Sequence, residues 1–225
     1  MNFRLLILAS TLVLGACTTT TVNEHRTNPV GLTLDGSEKV VVLGRRHAGQ
    51  YETEPDFIDC IGGKLDDNTA VTIVDEGDFI DSLYPWFEPR TAPLRLGRLE
   101  RMLADPLIAQ QVQALGIRYM IWVDGNTETT ESDGSISCAV GPGGGGCFGF
   151  ATWEKASNYE AVIWDIEQLA DMGRVKVDAK GSSYLLAVGA PIPFIARVQG
   201  EACDGIGTQL RSFFNRKGIA SNEDS

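Results

Sequence analysis

Five cysteines, two histidines and thirty carboxylates are the residues of this chain with types suited to chemistry. His25 and His47 are the only histidines, and His25 lies in the polar tether, so a Ser-His-Asp or Cys-His enzyme would have to be built around His47. No GxSxG elbow or HExxH helix accompanies either. Arg45-Arg46-His47 follows an apolar run and could hold an anion at a strand end, although a salt-bridged surface loop explains it as well. Asp124, Glu154 and Asp165 each follow, or nearly follow, a tryptophan. Two carboxylates about 5–9 Å apart can hydrolyse a glycosidic bond, but acidic caps at strand ends have the same signature. These patterns assign no catalytic residue, cofactor or metal. The run Gly143–Gly146 lacks the GK[ST] ending of a phosphate loop.

Cys17 stands apart from the other cysteines. Arg4 is followed by an apolar run from Leu5 to Leu14, which is shorter than the about 20 residues a membrane span needs. The segment Leu14-Gly15-Ala16-Cys17 resembles a lipobox. That resemblance implies residues 1–16 as a lipoprotein signal peptide and Cys17 as the first mature residue, carrying a diacylglyceryl thioether and an amide-linked chain such as palmitate. Two or three acyl chains would anchor it stably in a bilayer. Thr18, in place of the aspartate associated with inner-membrane retention, resembles the outer-membrane sorting pattern, with the body facing the periplasm. An ordinary secretory cut after Ala16 is the alternative.

Cys60, Cys138, Cys147 and Cys203 remain, an even number that reads as two disulfides in an oxidising compartment, with three possible connectivities. Cys138 and Cys147 flank a flexible Gly-rich loop that could close on itself, which would leave Cys60 to Cys203. Zinc is the competing reading, but no pair has the close CxxC spacing.

The formal net charge of −11 disfavours nucleic acid and anionic lipid as partners of the body, since both need clustered Lys and Arg. Residues 17–37 are polar and Thr-rich and read as a flexible tether with a reach of roughly 25 Å. Residues 38–217 form one globular domain and 218–225 a polar tail. Within the domain, residues 39–44 read as a buried strand, and a helix begins near Thr53 and Pro55. Residues 71–74 read as a short strand, and Asp75 caps a second helix. Helices follow within 94–115, then strands at 117–123, 148–153, 159–166, 174–178 and 184–188, and a last helix over 194–214. The fold class is α/β: a single mixed sheet with a strand-helix-strand-helix start, an antiparallel meander and a C-terminal helix. Gly200, Gly205 and Gly207 each cost a helix ~1 kcal/mol, so this last helix is either broken or unusually close-packed.

The element order, with the segment 114–123 (ALGIRYMIWV), resembles the periplasmic domain shared by curli-secretion lipoproteins and the lipoprotein activators of penicillin-binding proteins. Residues 51–57, 87–93 and 192–196 resemble a group of uncharacterised proteobacterial lipoproteins, which implies no activity. Aromatic residues supply the functional candidates. Tyr84, Trp86 and Phe87 cluster at a helix end, and Trp122, with Trp153 and Trp164, sits on a predicted strand; exposed, they would anchor a partner. The expected function is a lipid-anchored, noncatalytic envelope protein binding a protein partner or peptidoglycan. The alternatives are a carboxylate-dependent envelope hydrolase and an oligomeric assembly factor.

Overall fold

A computed structural model describes residues 18–27, 31–47, 50–51, 53–66, 71–88, 91–93 and 95–215. Cys17, the signal segment and the 218–225 tail lie outside them. The strands are β1 (Thr18–Arg26), β2 (Lys39–Gly44), β3 (Arg46–His47), β4 (Gln50–Tyr51), β5 (Ile73–Val74), β6 (Ile117–Gly141), β7 (Gly144–Asp165) and β8 (Ala170–Phe194). The helices are α1 (Pro55–Asp66), α2 (Glu76–Ser82), α3 (Leu96–Leu103), α4 (Pro106–Ala114) and α5 (Val198–Asn215). Six strands form one mixed sheet in the order β1-β8-β7-β6-β2-β5, and β3 and β4 form a two-stranded ribbon. The chain divides into two compact units, where the sequence reading expected one. Among the described residues, one is an α/β unit (within 20–127, 157–179 and 199–215) and the other a β unit (18–19, 128–156 and 180–198).

In the α/β unit, β2 runs parallel to both β5 and β6, with Val40 opposite Ile73 and Leu43 opposite Trp122. The run Val40-Val41-Val42-Leu43 is buried throughout because helices cover both faces of the sheet. One face presents Val41, Leu43, Met120, Trp122 and Trp164 to Phe79 and Leu83 of the α2 region, Leu99 and Leu103 of α3, and Ile108 and Val112 of α4. The other presents Tyr119 and Tyr159 to α1 and α5: Phe57 stacks on Tyr159 at 3.6 Å and Phe214 meets Tyr119 edge-on at 5.7 Å. The Cys60–Cys203 disulfide joins these two helices. Helix starts follow their sequence signals. Asp75 Oδ1 accepts from the amides of Gly77 and Asp78, and Asp105 Oδ1 accepts from Leu107 N ahead of Pro106. Thr53, just ahead of α1, is buried, and its hydroxyl donates to the Val123 carbonyl at 3.3 Å. Helix α5 is unbroken, and its glycines mark close approach. A Cβ on Gly207 would lie 2.7 Å from Lys64 Cβ of α1, and one on Gly205 would lie 2.9 Å from Val22 Cγ2.

The β unit contains residues 128–141 of β6, 144–156 of β7 and 180–194 of β8. β6 continues through Ser132-Asp133-Gly134, where the sequence predicted a break, and the Gly-rich stretch supplies the ends of β6 and β7 on either side of a two-residue turn. Gly134, at φ +99°, is the reason for the continuity: any Cβ there would lie 2.2 Å from the Phe150 carbonyl oxygen. Residues 142–143 turn β6 into β7, and Cys138–Cys147 bridges the two strands just before that turn. At Gly189 (φ +82°) the chain doubles back, so that the Ala196 amide donates to the buried Ser183 Oγ at 3.0 Å. The segment read as a tether is corrected here: Thr18–Arg26 is a strand, and Thr19 Oγ1 donates to the Lys180 carbonyl at 3.5 Å. Its β-branched threonines suit an edge strand, and their polarity suits its solvent side.

Candidate functional site

The four aromatic candidates have different fates. Trp122 is 4% exposed and Phe87 3%, the latter packed edge-on against Phe79 at 5.1 Å. Both belong to the core beneath α2–α4, which corrects the expectation that they form a binding surface. Three helices close the sheet face that carries Trp122. Trp164 is buried in the same core and Trp86 is partly buried against it. Only Tyr84, at 69%, is freely exposed.

The carboxylate candidates are engaged separately. Asp124 takes a two-pronged contact from Arg45 Nη1 at 2.9 and 3.0 Å. Asp165 is completely buried; it accepts from Arg118 Nη2 at 2.9 Å and, through its other oxygen, from the amides of Glu167 and Gln168. Arg118 also pairs with Glu38 and Glu167 beside an open cleft of about 500 Å³. Burial is the largest single influence on the Arg118 pKa and lowers it, but the charges and hydrogen bonds of Asp165 and Tyr119 together outweigh it, so the guanidinium titrates above its ordinary value. Glu154, in the β unit, accepts from Ser182 Oγ at 3.2 Å. Arg46 of the Arg45-Arg46-His47 motif pairs with Glu76 at 3.1 Å; the His47 side chain lies outside the described residues. Among the described residues no group of three or more His, Cys, Asp or Glu side chains is placed to hold a metal ion.

The β unit carries a feature the sequence reading did not assign. Phe148 and Phe150 of β7 and Tyr184, Leu186 and Val188 of β8 are all exposed, with Val188 at 68%. Alternation puts Phe148 with Phe150, and Tyr184 with Leu186 and Val188, on single faces of their strands. The near-parallel rings of Phe150 and Tyr184, 6.5 Å apart at 24°, show that the two rows share one face. The result is a two-strand apolar ladder open to solvent. At its polar end lies an open cleft of about 490 Å³ lined by Glu131, Asp133, Trp153, Glu154, Ser182 and Tyr184. The sequence did contain a signal for this surface. Residues 134–153 and 181–196 include no Asp, Glu, Lys, Arg or His, in a chain that is 22% charged. Periodicity within short windows hid it, because the two segments are distant in sequence and each is interrupted by glycine.

No protein-family model matches this chain. No curated protein matches it either. Among solved structures it is similar to the PelC dodecamer from Paraburkholderia phytofirmans, at 13% identity and a TM-score of 0.40, over 88% of this chain and 100% of that one. It is also similar to a putative neuraminyllactose-binding hemagglutinin homolog from Helicobacter pylori, at 9% identity and a TM-score of 0.39, over 86% of this chain and 94% of that one.

Proposed function

We propose that this protein is a lipid-anchored envelope protein that works by binding, without catalysis, and that its binding surface is the ladder formed by Phe148, Phe150, Tyr184, Leu186 and Val188. The exposed ladder itself carries this reading. A contiguous apolar face on a soluble unit costs solvation unless something covers it, and such faces mark interaction sites. The arginine partners of Asp124 and Asp165 give each carboxylate a structural role, which favours binding over carboxylate hydrolysis. Two disulfides suit an oxidising compartment, in keeping with export and with acylation at Cys17. Among the described residues no helix is long and apolar enough to cross a membrane, so acylation would supply the attachment.

A photoreactive amino acid placed at residue 148, 186 or 188 of the full chain in intact cells tests the surface. Recurrent adducts at these positions, with none at Asp81 on the exposed side of α2, are expected. Equal labelling at all positions would reject the ladder as the binding surface. Intact mass of the purified protein tests the anchor, since Cys17 should carry the mass of its acyl chains.

A further inference from the structure

We infer that the occupant of the ladder is the lipid bilayer itself: the β unit lies on the membrane leaflet with Phe148, Phe150, Leu186 and Val188 seated among the upper acyl chains. The inference deepens the binding reading above and rests on it.

Three observations converge. The first is charge. The strand stretches that bear the ladder contain no acidic, basic or histidine residue from Gly134 to Trp153 or from Gly181 to Ala196. Protein interfaces commonly ring an apolar centre with a polar rim, whereas charge in the acyl region of a bilayer is costly and rare. The second is the gradient along the strands. Glu131, Asp133 and Glu154 lie at one end, Trp153 and Tyr184 line the same cleft, and Phe148, Leu186 and Val188 continue beyond Tyr184 toward the two turns. Acid, then amphipathic ring, then hydrocarbon is the order met on passing from water through the headgroups into the acyl chains.

The third observation is the chain end. Thr18 and Thr19 belong to the β unit, and Thr19 is hydrogen bonded to Lys180. Cys17, the residue expected to carry lipid, is therefore one peptide bond from this unit, with no tether between them. Acylation there would hold the unit against the leaflet, so the ladder would meet lipid at high local concentration.

The seat is interfacial and does not span the membrane. β2 pairs with β6 only as far as Val123, so over residues 129–141 β6 has no neighbouring strand on that side among the described residues. An open edge is not tolerated within the hydrocarbon interior, but it can remain hydrated at the headgroup level. The net charge of −11 predicts that the interaction needs no anionic lipid.

The test uses the full acylated chain reconstituted in phosphatidylcholine vesicles whose acyl chains carry bromine, a short-range quencher of tryptophan fluorescence. Leu186→Trp and Val188→Trp place reporters on the ladder, and Tyr84→Trp places one on the exposed surface of the α/β unit. Each signal is taken as the difference from the parent chain. Quenching several-fold greater at 186 and 188 than at 84 is the expected result. Equal quenching at all three positions would overturn the inference. Crosslinking between copies at 186, without quenching there, would also overturn it and assign the ladder to a second copy. If the mass of Cys17 shows no acyl chain, the anchor reading fails; vesicles added to that same protein still decide the ladder by the same comparison. Val188, the most exposed ladder position, guards against a folding defect at 186.

Discussion

The Tyr159 hydroxyl donates to Glu54 Oε2 at 2.9 Å, while the Thr127 amide donates to Oε1 of the same carboxylate at 2.7 Å. The Thr127 hydroxyl lies 2.7 Å from the Tyr159 oxygen and 2.6 Å from Ser157 Oγ. The residue just before α1 thus ties that helix to β6 and β7 through a polar network beneath the stacked Phe57 ring.

This network makes stability depend on alkaline pH. Burial, reinforced by Glu54, raises the Tyr159 pKa far above its ordinary 10, so the fold favours the neutral phenol. The contribution is complete below the unfolded-state value and is lost as pH rises from about 10 toward the folded-state value. Tyr159→Phe should cost about 1–2 kcal/mol at neutral pH by stranding the network. It should also flatten the decline between about pH 9 and pH 11. Denaturant midpoints of parent and variant across that range check both effects; an unchanged alkaline slope would count against the assignment.

Replacing Cys60 and Cys203 together by Ala should destabilise the protein by up to about 5 kcal/mol, since the bridge closes a very long loop. Removing Cys138 and Cys147 should cost about half as much in the same chain-entropy model, because their loop is short. Chemical denaturation of the two double variants under oxidising conditions gives the ordering, and a larger loss for the short loop would contradict it.

Gly207→Ala would ordinarily favour a helix by about 1 kcal/mol. Here the new methyl group would meet Lys64 Cβ, an atom fixed to the backbone of α1, at 2.7 Å. The variant should therefore be destabilised by about 1–3 kcal/mol. A raised melting temperature would show that α1 and α5 can separate freely.

Trp122→Ala and Phe87→Ala should each lose about 3–5 kcal/mol through the cavities they leave. Tyr84→Ala should change stability by less than about 0.5 kcal/mol, because its ring stands in water. Thermal melts of the three variants separate core from surface within a cluster that looks uniform in sequence.

That cluster marks the boundary of what sequence patterning conveyed. The mixed α/β sheet, its strand at 39–44, the Asp75 cap and the closing helix depend on local signals, and they stand in the structure. The pairing of Cys60 with Cys203 was reachable because Cys138 and Cys147 flank a loop able to close on itself, which leaves the other two. The lengths of β6, β7 and β8 were not legible, because Gly, Ser and Asp usually end strands; here Gly134 is required by the neighbouring strand's carbonyl. Burial of Trp122 depends on helices from residues 76–114 folding over its face, a relationship set by tertiary packing. The ladder combines two segments more than thirty residues apart, so no window along the chain contains it.

The span between Cys60 and Cys203 also bears on the order in which the molecule is made. A chain emerging from its N-terminus presents Cys60 early, then Cys138 and Cys147, and Cys203 only after nearly the whole sequence has appeared. Between the appearance of Cys147 and that of Cys203 the correct partner of Cys60 does not yet exist, while two wrong ones do. Cys138 and Cys147 lie nine residues apart and can find one another as soon as their hairpin forms. Early closure of that small ring removes both competitors and leaves Cys60 a single choice when Cys203 arrives.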